Sequence, residues 1–404
     1  PRAELAAVAR EIHENLGMPG WDQEITPVEG LFLPCYVYQG YVDVPIWQRG
    51  QRPYRDEGGG FVFDATGKPE VQGWERVRFT LTTPFDNMPA SGWPVVIYGH
   101  GTGGDDLTIA RRKEDEGPVL ARQGIAVLAI AQPLHGDRAT PETDAELDSF
   151  NYLNPEAGRG NFRQGAADHI FMAELLTSRP PHFTSGGGDI LLDPNRVAYF
   201  GHSQGGLSGG LAAPFLAEDV QAVGFSGAGG VLALTLELRK DPLDIQDLIE
   251  SLLGFEETEE ANLFHPVVGL IQSMAEVTDP INYAPGWYKE DPGVGGRPLP
   301  VLLTEGLLDE YTPSVTTEAL AAAARIPVVG PPANAPEAFR LRGLDPEGWP
   351  ASNNVRDWTG ADNTAGLAQY PDNGHFAIYD NPEAEQFYAT FLGTALNGQP
   401  VLQP

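Results

Sequence analysis

The pentapeptide Gly201-His202-Ser203-Gln204-Gly205 constrains what this chain can fold into more than any other feature. An apolar run, Val197 to Phe200, leads into it, and the small residues Gly206, Ser208, Gly209, Gly210, Ala212 and Ala213 follow. Glycines two before and two after the serine lack a Cβ, so the backbone can turn sharply from strand to helix with the serine at the apex. Asp193-Pro194-Asn195-Arg196 supplies a turn ahead of the strand. The chain holds 48 glycines, so the bare pattern recurs by chance. It is the flanking strand and small-residue helix that separate it from an ordinary glycine-rich loop.

Two further segments carry residues that a nucleophilic serine needs. Leu299 to Thr304 reads as a buried strand ending in Glu305-Gly306-Leu307-Leu308-Asp309-Glu310-Tyr311. A carboxylate just past a strand's carboxyl end suits the acid of a catalytic triad, and Asp309 is the expected residue, with Glu305 and Glu310 as its nearest competitors. Tyr370-Pro371-Asp372-Asn373-Gly374-His375-Phe376 puts His375 in a turn ahead of the helical stretch Pro382 to Leu396, where its imidazole can reach Ser203 as base. Upstream, Pro94 to Tyr98 is an apolar strand running into the glycine-rich loop Gly99-His100-Gly101-Thr102-Gly103-Gly104.

With serine, acid and histidine in that order, the chain resembles the α/β-hydrolase superfamily. More narrowly it resembles the bacterial lipase and esterase branch that carries a YGHGxGG loop and a GHSQGG turn. The resemblance spans roughly residues 75 to 400, and Gly136 of Gln132-Pro133-Leu134-His135-Gly136-Asp137-Arg138 matches the loop after the fourth strand. It implies an α/β fold: a mostly parallel central sheet with an antiparallel N-terminal edge, helices on both faces and a helical cap insertion. It also implies ester hydrolysis by Ser203, Asp309 and His375 through an acyl-enzyme, with no cofactor. The oxyanion would be held by the N–H of Gln204, the residue after the serine, and by that of Thr102 in the earlier loop, with Gly103 as the fallback. A serine peptidase or an acyltransferase would use the same machinery, and a non-catalytic binding protein on this scaffold typically loses a triad residue. The substrate is not implied.

Composition narrows the partners. The net charge of −31 rests on 56 acidic and 25 basic residues, only four of them lysines, which argues against nucleic acid or an anionic membrane. A solvated acidic surface explains it, and adaptation to high salt is the sharper alternative. Cys35 is the only cysteine, which excludes an internal disulfide and a cysteine-based zinc site. No apolar run approaches the length of a transmembrane helix. The first residue is Pro1, which reads as a mature or trimmed form and points to a secreted or periplasmic bacterial protein. His202 is expected to pack and His100 to brace the glycine-rich loop, while His135 lies on another active-face loop and is a candidate substrate contact. His13, His169, His182 and His265 have no motif around them, and no group of His, Asp and Glu shows metal-ligand spacing along the chain.

The expected organisation is an N-terminal extension over residues 1–75, a catalytic domain over 76–230 and 299–404, and a helical cap over 231–298. In the extension, Arg2 to Leu16 reads as a helix and Leu31 to Ile46 as strand. Phe61 to Phe63 and Val77 to Leu81 read as a hairpin-like pair. In the insert, Asp241-Pro242 and Gly254 bracket one helix, and a second runs from Ala261 to Val277. Leu248 and Ile249 on the first are the expected acyl-chain contacts. The parallel strands are expected at Pro94–Tyr98, Ile125–Ala131, Val197–Phe200, Ala222–Phe225, Leu299–Thr304 and near Leu367–Tyr370.

Overall fold

Eight strands frame the molecule in a computed structural model that describes residues 1–17, 19–256 and 258–404. They are β1 (Tyr36–Ile46), β2 (Gly73–Thr83), β3 (Trp93–Gly99), β4 (Ala126–Ile130), β5 (Gly188–His202), β6 (Val223–Ser226), β7 (Val301–Gly306) and β8 (Ala365–Tyr370). Their order across the sheet is β1-β2-β4-β3-β5-β6-β7-β8. β2 runs antiparallel to β1 and β4, and every pairing from β4 to β8 is parallel. Two short strands join this frame: Thr26–Pro27 beside β1, and His182–Ser185 beside the start of β5.

The apolar runs become strands because both faces of the parallel part are covered. Along β3, Val95 and Ile97 face one core while Val96 and Tyr98 face the other. The first core is closed by α1 (Ala3–Glu14) among other helices. Leu5, Val8, Ala9 and Ile12 of α1 are buried at helical spacing, and each fully buried large aliphatic side chain contributes about 1.5–3 kcal/mol. The second core lies under α2 (Glu116–Ala121) and the helix Pro382–Ala395.

Two expectations are corrected. β2 pairs not with Phe61 to Phe63 but with β1, over the full register from Tyr36↔Thr83 to Ile46↔Gly73. Phe61 and Phe63 form only isolated bridges, to Gln48 and Pro69, because a long ladder outcompetes a three-residue run. The N-terminal segment supplies the antiparallel edge as expected, but the boundary at residue 75 falls inside β2.

After β4 come α3 (Ala145–Phe150) and the long α4 (Pro155–Ser178), and after β5 comes α5 (Gln204–Ala212). The insert after β6 holds α6 (Leu232–Leu238), α7 (Ile245–Leu253) and α8 (Pro266–Ala275), which share a small core of Ala233, Leu236, Ile245, Ile249, Ala261 and Val268. Asp244, not Asp241, caps α7, its Oδ1 accepting from the N–H of Asp247 at 3.2 Å. α8 is shorter than expected, starting at Pro266 behind the capping side chain of His265. The chain re-enters the main core well before residue 298, since Tyr283, Ala284, Trp287 and Tyr288 are fully buried there. β7 leads into α9 (Ser314–Ala324). No described helix is long and apolar enough to cross a membrane.

Candidate active site

Ser203 sits between β5 and α5 with φ 54° and ψ −119°, a conformation that costs a non-glycine residue roughly 1–3 kcal/mol and persists only where packing enforces it. The enforcement is local. The N–H of Ser203 donates to the Ser226 carbonyl at 2.8 Å, and its own carbonyl accepts from Leu207 at 3.0 Å. A Cβ on Gly201 would overlap the Gly205 carbonyl oxygen, and one on Gly205 would overlap that of Gly99. Only glycine fits at either place, so β3, β5 and α5 meet at backbone contact directly beneath the serine.

His375 and Asp309 arrive on loops after β8 and β7, at the carboxyl end of the sheet where Ser203 also lies. His375 Nδ1 donates to Asp309 Oδ2 at 2.7 Å, and both residues are buried. Oδ1 of Asp309 accepts from the N–H groups of Tyr311 at 2.8 Å and Thr312 at 2.7 Å. Placing the proton on Nδ1 leaves Nε2 free as the basic nitrogen. The imidazole is sandwiched between Tyr311, stacked at 4.8 Å, and His202, at 4.7 Å between ring centroids. Burial pushes His202 well below the usual histidine range, so this neighbour is neutral. Ser203 and His375 line one cavity of ≈ 80 Å³ without a hydrogen bond between their side chains. Such pairs often tighten only when substrate binds.

Neither competing carboxylate bonds to His375 among the described residues. Glu305 faces across the sheet to Gln369, whose Nε2 donates to it at 2.7 Å. Burial pushes its carboxyl up to about 8. Glu310 is exposed.

Among the cavity-lining residues whose N–H groups have no acceptor among the described residues are Thr102 and Gln204. Gln204 opens α5, where the first N–H groups have no intrahelical partner. Thr102 Oγ1 donates to Gln204 Oε1 at 2.8 Å, tying the two together. Gly103 is not among the residues that line the cavity. His100 braces this loop: its Nε2 accepts from the N–H of Gln132 at 2.9 Å, so Nδ1 carries the proton and donates to the Gly101 carbonyl at 2.7 Å. Burial holds it neutral as well.

The other expected contacts lie elsewhere. His135 is buried off the cavity, its Nδ1 donating to the Pro133 carbonyl at 2.9 Å and its ring against His100. Leu248 and Ile249 also stay off the cavity, because Ile249 faces the insert's own core. The wall comes instead from Leu232 and Thr235 of α6, from Arg239 just beyond its end, and from Phe150, Glu146, Tyr311 and Phe376. Sequence reading missed α6, whose residues carry no motif. Arg239 is held by Glu146 at 3.3 Å and lies over the rings of Phe150 and Tyr311. A second chamber of ≈ 110 Å³ shares Phe150, Leu232 and Thr235 with the first and continues between α4 and α8 along Phe162, Leu236, Ile271 and Met274.

No protein-family model matches the chain. Among solved structures it is similar to acetyl xylan esterase 1 from Thermoanaerobacterium sp. JW/SL YS485, with a TM-score of 0.54 and 15% identity over 98% of this chain and 93% of that one. It is likewise similar to an acetyl xylan esterase from Paenibacillus sp. R4, with a TM-score of 0.55 and 16% identity over 96% and 93%. At these identities the likeness carries the fold, which is that of the α/β-hydrolases.

Proposed function

We propose that this α/β-hydrolase chain is a serine carboxylic-ester hydrolase working through an acyl-enzyme. The observation that carries the reading is a histidine that is bonded to a buried carboxylate and shares a cavity with a strained serine and with the unpaired N–H groups of Thr102 and Gln204. In this mechanism His375 Nε2 takes the proton of Ser203 Oγ as the oxygen attacks the ester carbonyl. Asp309 holds the ring in the right tautomer and balances the imidazolium. The carbonyl oxygen becomes an oxyanion received by the N–H groups of Thr102 and Gln204, which need no reorganisation to meet it. The imidazolium then protonates the leaving alcohol, and the neutral imidazole left behind takes a proton from the water that attacks the acyl-enzyme and releases the acid.

The apolar side chains of Phe162, Leu236, Ile271 and Met274 in the second chamber support an apolar acyl group, because burial of hydrocarbon against them is favourable, although Arg159 also lines that chamber. The chain's strongly negative surface makes nucleic acid and anionic lipid poor partners. A fluorophosphonate probe tests the reading. It should label one residue, Ser203, and Ser203→Ala should abolish labelling and lower aryl-ester turnover by about 10⁴ or more with the fold intact. An alanine variant that keeps wild-type turnover ends the proposal.

A further inference from the structure

His13, Glu174 and Asp219 lie far apart in sequence, on α1, on α4 and in the segment after α5, and none of them lines the cavity at Ser203. In space one ligand atom from each of His13, Glu174 and Asp219 lies within 4.8 Å of the other two. His13 Nδ1 is 2.7 Å from Glu174 Oε2 and 4.0 Å from Asp219 Oδ2. Asp219 Oδ2 is buried with no hydrogen-bond partner, on a side chain only 6% exposed, and it is directed at the cluster.

The atoms turned away from the cluster are the ones already satisfied. His13 Nε2 donates to the Phe215 carbonyl at 3.3 Å, which holds a proton on Nε2, so a metal would have to displace only the Nδ1 proton now shared with Glu174. Asp219 Oδ1 accepts from Thr177 Oγ1 at 2.7 Å. Outer contacts of this kind fix the tautomer and carboxylate orientation of metal ligands. We propose that His13, Glu174 and Asp219 form a structural site for a divalent transition metal, zinc above all, which clamps the N-terminal helix to the body of the fold.

The chemistry of the donor set supports zinc. One imidazole and two carboxylates with a water in the fourth position make a tetrahedral site, whose ligand atoms stand about 3.3 Å apart when metal–ligand distances are about 2.0 Å. The 2.7 Å and 4.0 Å separations reach that value by opposite shifts of under about 1 Å. Calcium and magnesium prefer all-oxygen shells. A proton shared with His13 neutralises one of the two carboxylates, whereas a dication neutralises both. The His13 and Glu174 side chains are each 16% exposed, which leaves a path for the ion and its water.

The test uses the full-length protein, stripped with EDTA and dialysed. Zinc should then bind at one equivalent per chain by elemental analysis, and at a hundredfold excess over Kd it should raise Tm by about 3 °C. Cobalt(II) should give the visible absorption of a low-coordinate N/O site. Asp219→Asn and His13→Gln should lose the equivalent, the Tm shift and the cobalt spectrum, while ester turnover and circular dichroism stay at wild-type level. Failure of the wild-type protein to bind zinc or cobalt at one equivalent overturns the proposal without any variant. So does binding that both substitutions leave unchanged. Neither result bears on the triad, which these residues do not touch.

Discussion

Glu305 and Asp309 stand four residues apart at the end of β7, yet their surroundings give them opposite chemistry. Asp309 accepts three N–H groups, from Tyr311, Thr312 and His375, which is what an acceptor-only carboxylate needs. Glu305 receives one donor, from Gln369, and its second oxygen is buried without a partner. Asp309→Asn should therefore lower turnover by about 10⁴, since an amide cannot hold the same imidazole tautomer. Glu305→Gln should keep turnover, because the amide matches the neutral acid in shape and still accepts from Gln369. The same variant carries a pH signature. A carboxyl whose folded value is raised to about 8 contributes stability that is complete below its ordinary range and lost as pH rises through about 8. Glutamine cannot ionise, so Glu305→Gln should melt above wild type at pH 8 to 9 and level with it at pH 4. Equal melting curves at both ends would show that Glu305 titrates normally. The sequence brought Asp309 forward on position alone; only the contacts separate it from Glu305.

At the scale of elements, strands were the most legible because each parallel strand is a short apolar run buried on both faces, as Val301 to Gly306 is. Helix α4 went unread for the opposite reason. Eighteen of its 24 residues are buried, polar Asn161, Gln164 and Asp168 among them, so it has no polar face to produce a helical stripe. The insert misled because a true stripe on α7 packs into the insert's own core, while α6, too short to show a period, faces Ser203. If the proposed esterase reading holds, the chain-length determinant falls to the chamber beside α6 and α8. Ala275→Phe adds a ring at its wall. Each buried methylene contributes about 0.8 kcal/mol, so displacing two or three should reduce kcat/KM for octanoyl esters by roughly 10- to 60-fold. Acetyl esters should change less than about twofold, since their acyl group ends near Ser203. Ile249→Ser should instead lower Tm and scale all chain lengths equally. An equal loss on acetyl and octanoyl esters in Ala275→Phe would remove the chamber from the substrate's path.

For the whole molecule, the excess of 56 acidic over 25 basic residues is a field spread over one body. A folded chain of this length has a radius of gyration of about 21 Å. At 0.01 M ionic strength the screening length is about 30 Å, longer than that radius, so carboxylates well apart on the surface still repel one another; at 1 M it is about 3 Å and only neighbours interact. Unfolding spreads the same charges apart, so the repulsion is a cost carried mainly by the folded state. Exposed ion pairs such as Arg340 with Glu337 weaken with salt, but pairs of that kind contribute about 0–1 kcal/mol each. The long-range term therefore decides the sign. Tm should rise by several degrees between 0.01 M and 1 M sodium chloride, with most of the gain below about 0.2 M, where the screening length falls fastest. Sodium chloride is the informative salt because sulfate also strengthens apolar burial, which would raise Tm whatever the charge. A matched series in sucrose supplies the control for solvent exclusion. If Tm is flat or falls across the chloride series, the acidic surface is not a folding cost and serves only to keep the protein in solution.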